Sequence, residues 1–167
     1  MKPYQNHDEH FTIRMTTKED TPIIYSFIKK LALYEKLEHV MTATIEKLET
    51  TIFELKQAEV ILAEYDGKPI GFALFFHSYS TFLGKANLYL EDLFIDEAYR
   101  KKGYGRKMFQ YLAKLAVERD CERLDWMCLT WNEPSIKFYQ RLGAKHLNDW
   151  MTFRLAKDDL KHLAESK

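Results

Sequence analysis

The spacing of apolar and polar positions changes several times along the chain, and each change marks an element. FTIRMT, starting at Phe11, alternates as a half-buried strand does, and Thr17-Lys-Glu-Asp then offers N-cap chemistry. The following IIYSFIKKLALYEKL sets Ile24, Phe27, Ile28, Leu31 and Tyr34 at helical spacing. A second helix is predicted over TIEKLETTIFEL, capped by Thr44, with Ile45, Leu48, Ile52 and Leu55 on one face. EVILAEYDGKPIGFALFFHSYS reads as two strands joined at Asp66-Gly67, a hairpin signal. ANLYLEDLFI is a further strand, and Met108, Leu112, Leu115 and Ala116 recur at helical spacing through Glu118. RLDWMCLTW is again strand-like. Asn132-Glu-Pro-Ser then opens a helix, SIKFYQRLG, that Gly143 closes, and WMTFRLA reads as a last strand. The order predicts a mixed, mostly antiparallel α/β (α+β) sheet with helices on both faces.

Composition narrows the function. The 167 residues carry 25 Lys+Arg against 25 Asp+Glu, a formal net charge of zero, which argues against coating nucleic acid or an anionic membrane. A 14% aromatic content with 6 Gly and 4 Pro argues against disorder. Residues 1–10 read as a flexible leader, in which His7 and His10 make a poor metal site, and residues 11–167 as one domain. Cys121 and Cys128 are too widely spaced for a Cys-x-x-Cys pair and read as reduced core thiols, with no metal expected. The polar N-terminus and the absence of an apolar run of about 18 residues suggest a cytoplasmic protein without a membrane partner.

The zero net charge hides a strong asymmetry. Residues 98–107 hold five basic residues and no acid, and residues 31–66 hold eight acids and three lysines, a local −5. In the basic segment, Arg100-Lys101-Lys102-Gly103-Tyr104-Gly105-Arg106 joins a strand to a helix. Glycines there let backbone N–H groups turn inward beside a helix N-terminus, which makes an anion cradle. A tight turn before an ordinary solvated helix is the plainer alternative. Met108 stands where a Rossmann fingerprint needs its third glycine, and Lys107 lacks the flanking residues of a Walker loop.

LYLEDLFIDEAYRKKGYGRKMF resembles the acetyl-CoA-binding signature of the GNAT N-acetyltransferase superfamily, and WNEPSIKFYQRLGA resembles its second cofactor-contacting and catalytic segment. Within it the chain is most similar to the diamine (spermidine/spermine) and thialysine acetyltransferase group, through LALYEKL, GK before LYLED, and WNEPSIKFY. The resemblance implies a GNAT fold and acetyl-CoA as acetyl donor. Its pyrophosphate would sit on Arg100–Arg106 and its pantetheine arm would pair with Leu93, Phe94 and Ile95, with Asn132 and Ser135 close to that arm. It also implies that Tyr139 protonates the departing thiolate and that Glu91 is the base or proton relay for the amine; alone, Tyr139 would read as a packing aromatic.

Tyr34, Glu35, Glu91, Asp92, Asp125, Trp126 and Trp150 correspond to substrate-side positions. Asp125 and Trp126 read equally well as strand packing, and Asp92 equally well as a solvated strand-end charge. Plain alternation would turn Glu91 and Asp92 to opposite sides of the sheet. Two departures from the polyamine-acetylating relatives stand out: Thr81 replaces an acid, and the HLND segment before Trp150 is short. Both shift weight from a long polycation to a smaller amine such as thialysine or a lysine-like amino acid. A homodimer is implied as well. The rivals are a protein or peptide acetyltransferase and a CoA-binding module without catalysis.

Overall fold

The alternation at Phe11 becomes the first strand. The computed structural model describes residues 8–166, so most of the predicted leader, His7 included, lies outside the described residues. The chain divides into two compact units, one ending at Met127 and the other starting at Cys128.

In the first unit, β1 (Phe11–Met15), β2 (Glu59–Tyr65), β3 (Lys68–Ser80), β4 (Lys85–Ile95) and β5 (Leu124–Trp126) form a sheet in that order. The first four pair antiparallel, and β4 pairs parallel with β5. Asp66 and Gly67 both take positive φ, 49° and 73°, in the turn joining β2 to β3. Helix α1 (Thr21–Glu35) follows a 3-10 turn whose start is closed by a capping box between Thr17 and Asp20.

Helix α2 (Ile45–Leu48) runs on as a π-helical turn over Glu49–Glu54. The predicted continuous helix therefore changes pitch. The wider turn rotates Leu55 off the buried face to 60% exposure and brings Phe53 against the core instead. Ile24, Phe27 and Leu31 of α1 with Leu48 and Ile52 pack on Val60, Leu62, Phe72 and Phe94, all buried. Helix α3 (Tyr104–Glu118) covers the opposite face with Met108, Leu112, Leu115 and Ala116, the residues its spacing predicted. Phe109 of α3 meets Trp126 edge-on at 4.9 Å, and Arg119 lies over the ring of Phe75.

The segment before α3 is anchored from below. Tyr104 is buried, its ring stacked on Phe11 at 4.5 Å, and Lys107 reaches Asp8 at 3.7 Å. The first turn of α3 thus rests on Phe11 of β1 through aromatic packing and on Asp8, ahead of β1, through one ion pair.

The second unit holds α4 (Glu133–Arg141) and α5 (Asp158–Glu165). Gly143, with φ 88°, ends α4 as predicted. The predicted last strand, WMTFRLA, does not form: residues 150–156 have no regular structure, and α5 follows them. An alternating pattern becomes a strand only where a neighbour supplies the ladder. Likewise RLDWMCLTW yields only the three residues of β5, which pair with Leu88 to Leu90 of β4 before the chain leaves the sheet. Cys121 is buried and Cys128 half-buried, both as free thiols.

Candidate active site

The register of β3 on β4 organises the site. Phe75 faces Leu90 and Leu74 faces Asp92, so Glu91 is one extra residue on β4. Such a bulge bends its strand and leaves the extra residue unpaired. Partners across a ladder share a face, so Asp92 lies with Leu74 on the side of α1, as do Phe94 opposite Phe72 and Tyr89 opposite Phe76. Glu91, following Leu90 of the α3 side, turns to the α1 side too. The bulge therefore corrects the alternation reading: Glu91 and Asp92 share one side of the sheet.

Glu35, the last residue of α1, completes the group. Burial first, and then the charge of Glu91, push its carboxyl above the ordinary range. Asp92 is half-buried, and burial, followed by the charges of Glu91 and Glu35, raises it to about 7. Among the described residues none of these three carboxylates has an ion-pair or hydrogen-bond partner. Asp125 of β5 pairs with Tyr89 on the same side, and burial together with Glu91 and Asp125 raises the Tyr89 phenol. Four acids thus gather around the middle of β4, and Tyr89 between them escaped the sequence reading; its offset of two residues from Glu91 was the available signal. Trp126, by contrast, pairs with Leu90 on the α3 side, where packing against Phe109 accounts for it.

The weakened acidity of Asp92 also bears on folding. A carboxyl with a folded value near 7 against an ordinary value of 3.8 binds protons more tightly in the folded chain, so stability falls as pH rises through that interval. Asp92→Asn removes the penalty. Its melting temperature relative to the wild type should be higher at pH 8 and indistinguishable below pH ~4, as read by calorimetry at both values.

Among the described residues, no strand lies beside the outer edge of β4 beyond Leu90: pairing with β5 stops there, although β4 continues through Leu93 and Phe94 to Ile95. Open ladder groups next to a cluster of acids make a place where an extended chain can add as a strand.

The basic loop lies just past this edge. Lys101 and Gly103 take left-handed conformations, φ 62° and 87°, and Gly103 precedes α3 at its N-cap. Arg100 turns inward: its guanidinium lies over the rings of Tyr34 and Phe94, at 5.0 and 5.1 Å, and its Nε donates to the Ile95 carbonyl at 2.8 Å. With the side chains of Tyr104 and Lys107 also turned inward, the exposed charges of the cradle are Lys101, Lys102 and Arg106. Gly105 sits in the first turn of α3, where backbone N–H groups point along the axis without intrahelical acceptors.

In the second unit Asn132 is buried and caps α4, its Oδ1 accepting from the Ser135 N–H at 3.4 Å. Tyr139 stands half-buried in the middle of α4, while Trp150 is 77% exposed. Among the described residues no three His, Cys, Asp or Glu side chains converge to hold a metal ion, and no helix is long and apolar enough to cross a membrane.

Residues 25–144 match the acetyltransferase (GNAT) family, and the chain belongs to it. It is similar to the thialysine N-epsilon-acetyltransferase of Bos taurus, 32% identical over 166 residues that cover 91% of this chain and 96% of that one. It is also similar to the L-ornithine N5-acetyltransferase of Arabidopsis thaliana, 29% identical, with 89% of this chain and 86% of that one covered. Among solved structures, an integron cassette protein from the mobile metagenome of V. cholerae superposes with a TM-score of 0.79 at 26% identity, covering 94% of this chain and 99% of that one.

Proposed function

We propose that the chain transfers the acetyl group of acetyl-CoA to the side-chain amine of a small lysine-like amino acid or a diamine, by direct attack in a ternary complex. The observation that carries this reading is the group formed by Glu35, Glu91 and Asp92, acids without a cationic partner beside the unpaired edge of β4. An ammonium is the missing counter-charge. The thialysine and ornithine named for the two relatives are amino acids with a side-chain primary amine, which favours that class over a long polyamine. So does Thr81, where polyamine-acetylating relatives carry an acid.

Acetyl-CoA is the donor. Its pantetheine arm lies along Leu93–Ile95 as an added strand, and its phosphates meet Lys101, Lys102, Arg106 and the N–H groups at Gly103–Gly105. A backbone N–H of β4 polarises the thioester carbonyl as charge grows on its oxygen, an interaction typically worth about 3–4 kcal/mol. Arg100 supports this strand from the side through Ile95. Tyr139 protonates the leaving thiolate, and the proton of the ammonium departs through the carboxylates of β4. No metal enters the scheme. The aromatic and aliphatic side chains exposed in residues 128–166, Phe153 at 85% among them, support the expectation of a homodimer, and a cytoplasmic site of action fits an intracellular acetyl donor.

Release of CoA thiol, measured with thialysine, ornithine, lysine, spermidine and a lysine-containing peptide, tests the reading. Turnover is expected with the free amino acids above spermidine, and none with the peptide. A preference for the peptide would make this a protein acetyltransferase. Acetyl-CoA binding without turnover of any amine would make it a non-catalytic CoA-binding module.

A further inference from the structure

We propose that Asp92 is the group that takes the proton from the substrate ammonium, and that Glu91 passes this proton on to water. The inference rests on the acetyltransferase reading and assigns within it a step that the sequence alone allots to Glu91.

The bulge supplies the geometry. Glu91, the extra residue, is exposed at the rim, whereas Asp92 is paired opposite Leu74, half-buried, and two residues from the buried Phe94 on the same side. Asp92 also directly precedes Leu93, where the proposed pantetheine strand begins, so an amine held by Asp92 is placed against the thioester. Glu91 has open access to solvent.

The surroundings of Asp92 contain little to neutralise it. β4 contributes Glu91 and Tyr89, α1 contributes Glu35 and Tyr34, β5 contributes Asp125, and the residue facing it from β3 is the apolar Leu74. Arg100 and Lys30, two cations carried by segments next to this part of the sheet, are engaged elsewhere. Arg100 lies over Tyr34 and Phe94 and donates to Ile95, and Lys30 is paired with Asp96 at 2.7 Å. An acid so placed holds a proton well at neutral pH. The value of about 7, against an ordinary 3.8, narrows the gap to an ammonium of about 10.4 by roughly a thousandfold in proton affinity.

The protons and electron pairs balance as follows. The ammonium gives its first proton to the Asp92 carboxylate, and the freed lone pair forms the N–C bond at the thioester carbonyl. The C–S bond then breaks with its electrons on sulfur, which takes the phenolic proton of Tyr139. The Tyr139 phenolate is restored by the second proton of the newly bonded nitrogen. Asp92 loses its proton through Glu91 to water, and one proton is released per turnover.

The test is the pH dependence of kcat/KM for the best amine of the panel, in the wild-type chain and in Asp92→Asn, Glu91→Gln and Glu35→Gln. The wild type should show a limb rising with pH, with a midpoint near 7. In Asp92→Asn this limb should disappear and kcat should fall by about 10²–10⁴-fold. In Glu91→Gln and Glu35→Gln the limb should persist with its midpoint moved to lower pH, because each removes a negative neighbour of Asp92. Loss of the limb in Glu91→Gln would overturn the assignment, as would its survival in Asp92→Asn. If Asp92→Asn fails to fold, the direction of movement in Glu91→Gln still decides. Should the wild type turn over no amine while binding acetyl-CoA, the acetyltransferase reading falls; turnover with the limb belonging to Glu91 defeats only this inference.

Discussion

Replacing Tyr139 with Phe is expected to lower kcat by about 10²–10⁴-fold, the usual contribution of a positioned proton donor, and to leave the dissociation constant of acetyl-CoA unchanged. In the proposed transfer the leaving group is a thiolate whose acid has a pKa of about 8.5, and a phenol of about 10 hydrogen-bonded to sulfur can stabilise it and finally protonate it. The two ends of the helix that carries Tyr139 are held by bonds that the substitution keeps. Its N-terminus is capped by Asn132, and the Tyr139 carbonyl accepts from the Leu142 and Ala144 N–H groups at 3.0 and 3.1 Å whatever the side chain. Circular dichroism and acetyl-CoA titration should therefore match the wild type while turnover collapses. An unchanged kcat would remove Tyr139 from the reaction.

The second large effect concerns a residue far from any proton. Gly71→Ala should destabilise the chain by about 3 kcal/mol, the upper part of the range for overpacking, and lower the melting temperature by about 6–12 °C. Gly71 of β3 lies opposite Ile95 of β4, and a Cβ there would meet the Phe94 carbonyl oxygen and Ile95 Cδ1, each at 2.5 Å. A flexible side chain can yield, but a backbone carbonyl in a ladder moves only with its strand. The strand displaced is the one assigned to the pantetheine arm, so acetyl-CoA affinity should fall along with stability, by calorimetry in both cases. Gly103→Ala is the contrasting control. No atom lies within 4 Å of the position its methyl would take, and only the left-handed φ of 87° opposes it, at about 1 kcal/mol. A larger loss of stability in Gly103→Ala than in Gly71→Ala would refute the close-approach account.

Much of the fold was legible because local pattern and tertiary environment agree. In α3 the apolar residues read from spacing are the ones buried against the sheet, and the Asp66-Gly67 turn and the Gly143 stop rest on backbone conformations that those residues adopt readily. The family motifs around LYLEDLFI and WNEPSIKFY were likewise visible in the chain itself. The misreadings share a cause. WMTFRLA has the alternation of a strand but no ladder beside it, and TIEKLETTIFEL has helical spacing but widens to a π turn, which moves Leu55 outward and Phe53 inward. Periodicity states which residues prefer burial, while pairing and pitch are set by what they meet.

The candidate site divides along the same line. The sequence by itself determined the family, the basic glycine loop, the acidic stretch and the identities of Glu35, Glu91, Asp92 and Tyr139. Only the tertiary structure decided how those charges are arranged. One extra residue on β4 turns Glu91 and Asp92 to the same side, the end of α1 adds Glu35, and Arg100 is drawn inward to Tyr34, Phe94 and Ile95. The reason is physical. Charge and composition belong to residues and can be read in order, whereas burial, and with it the proton affinity of Asp92, depends on strands and helices that are distant in the chain.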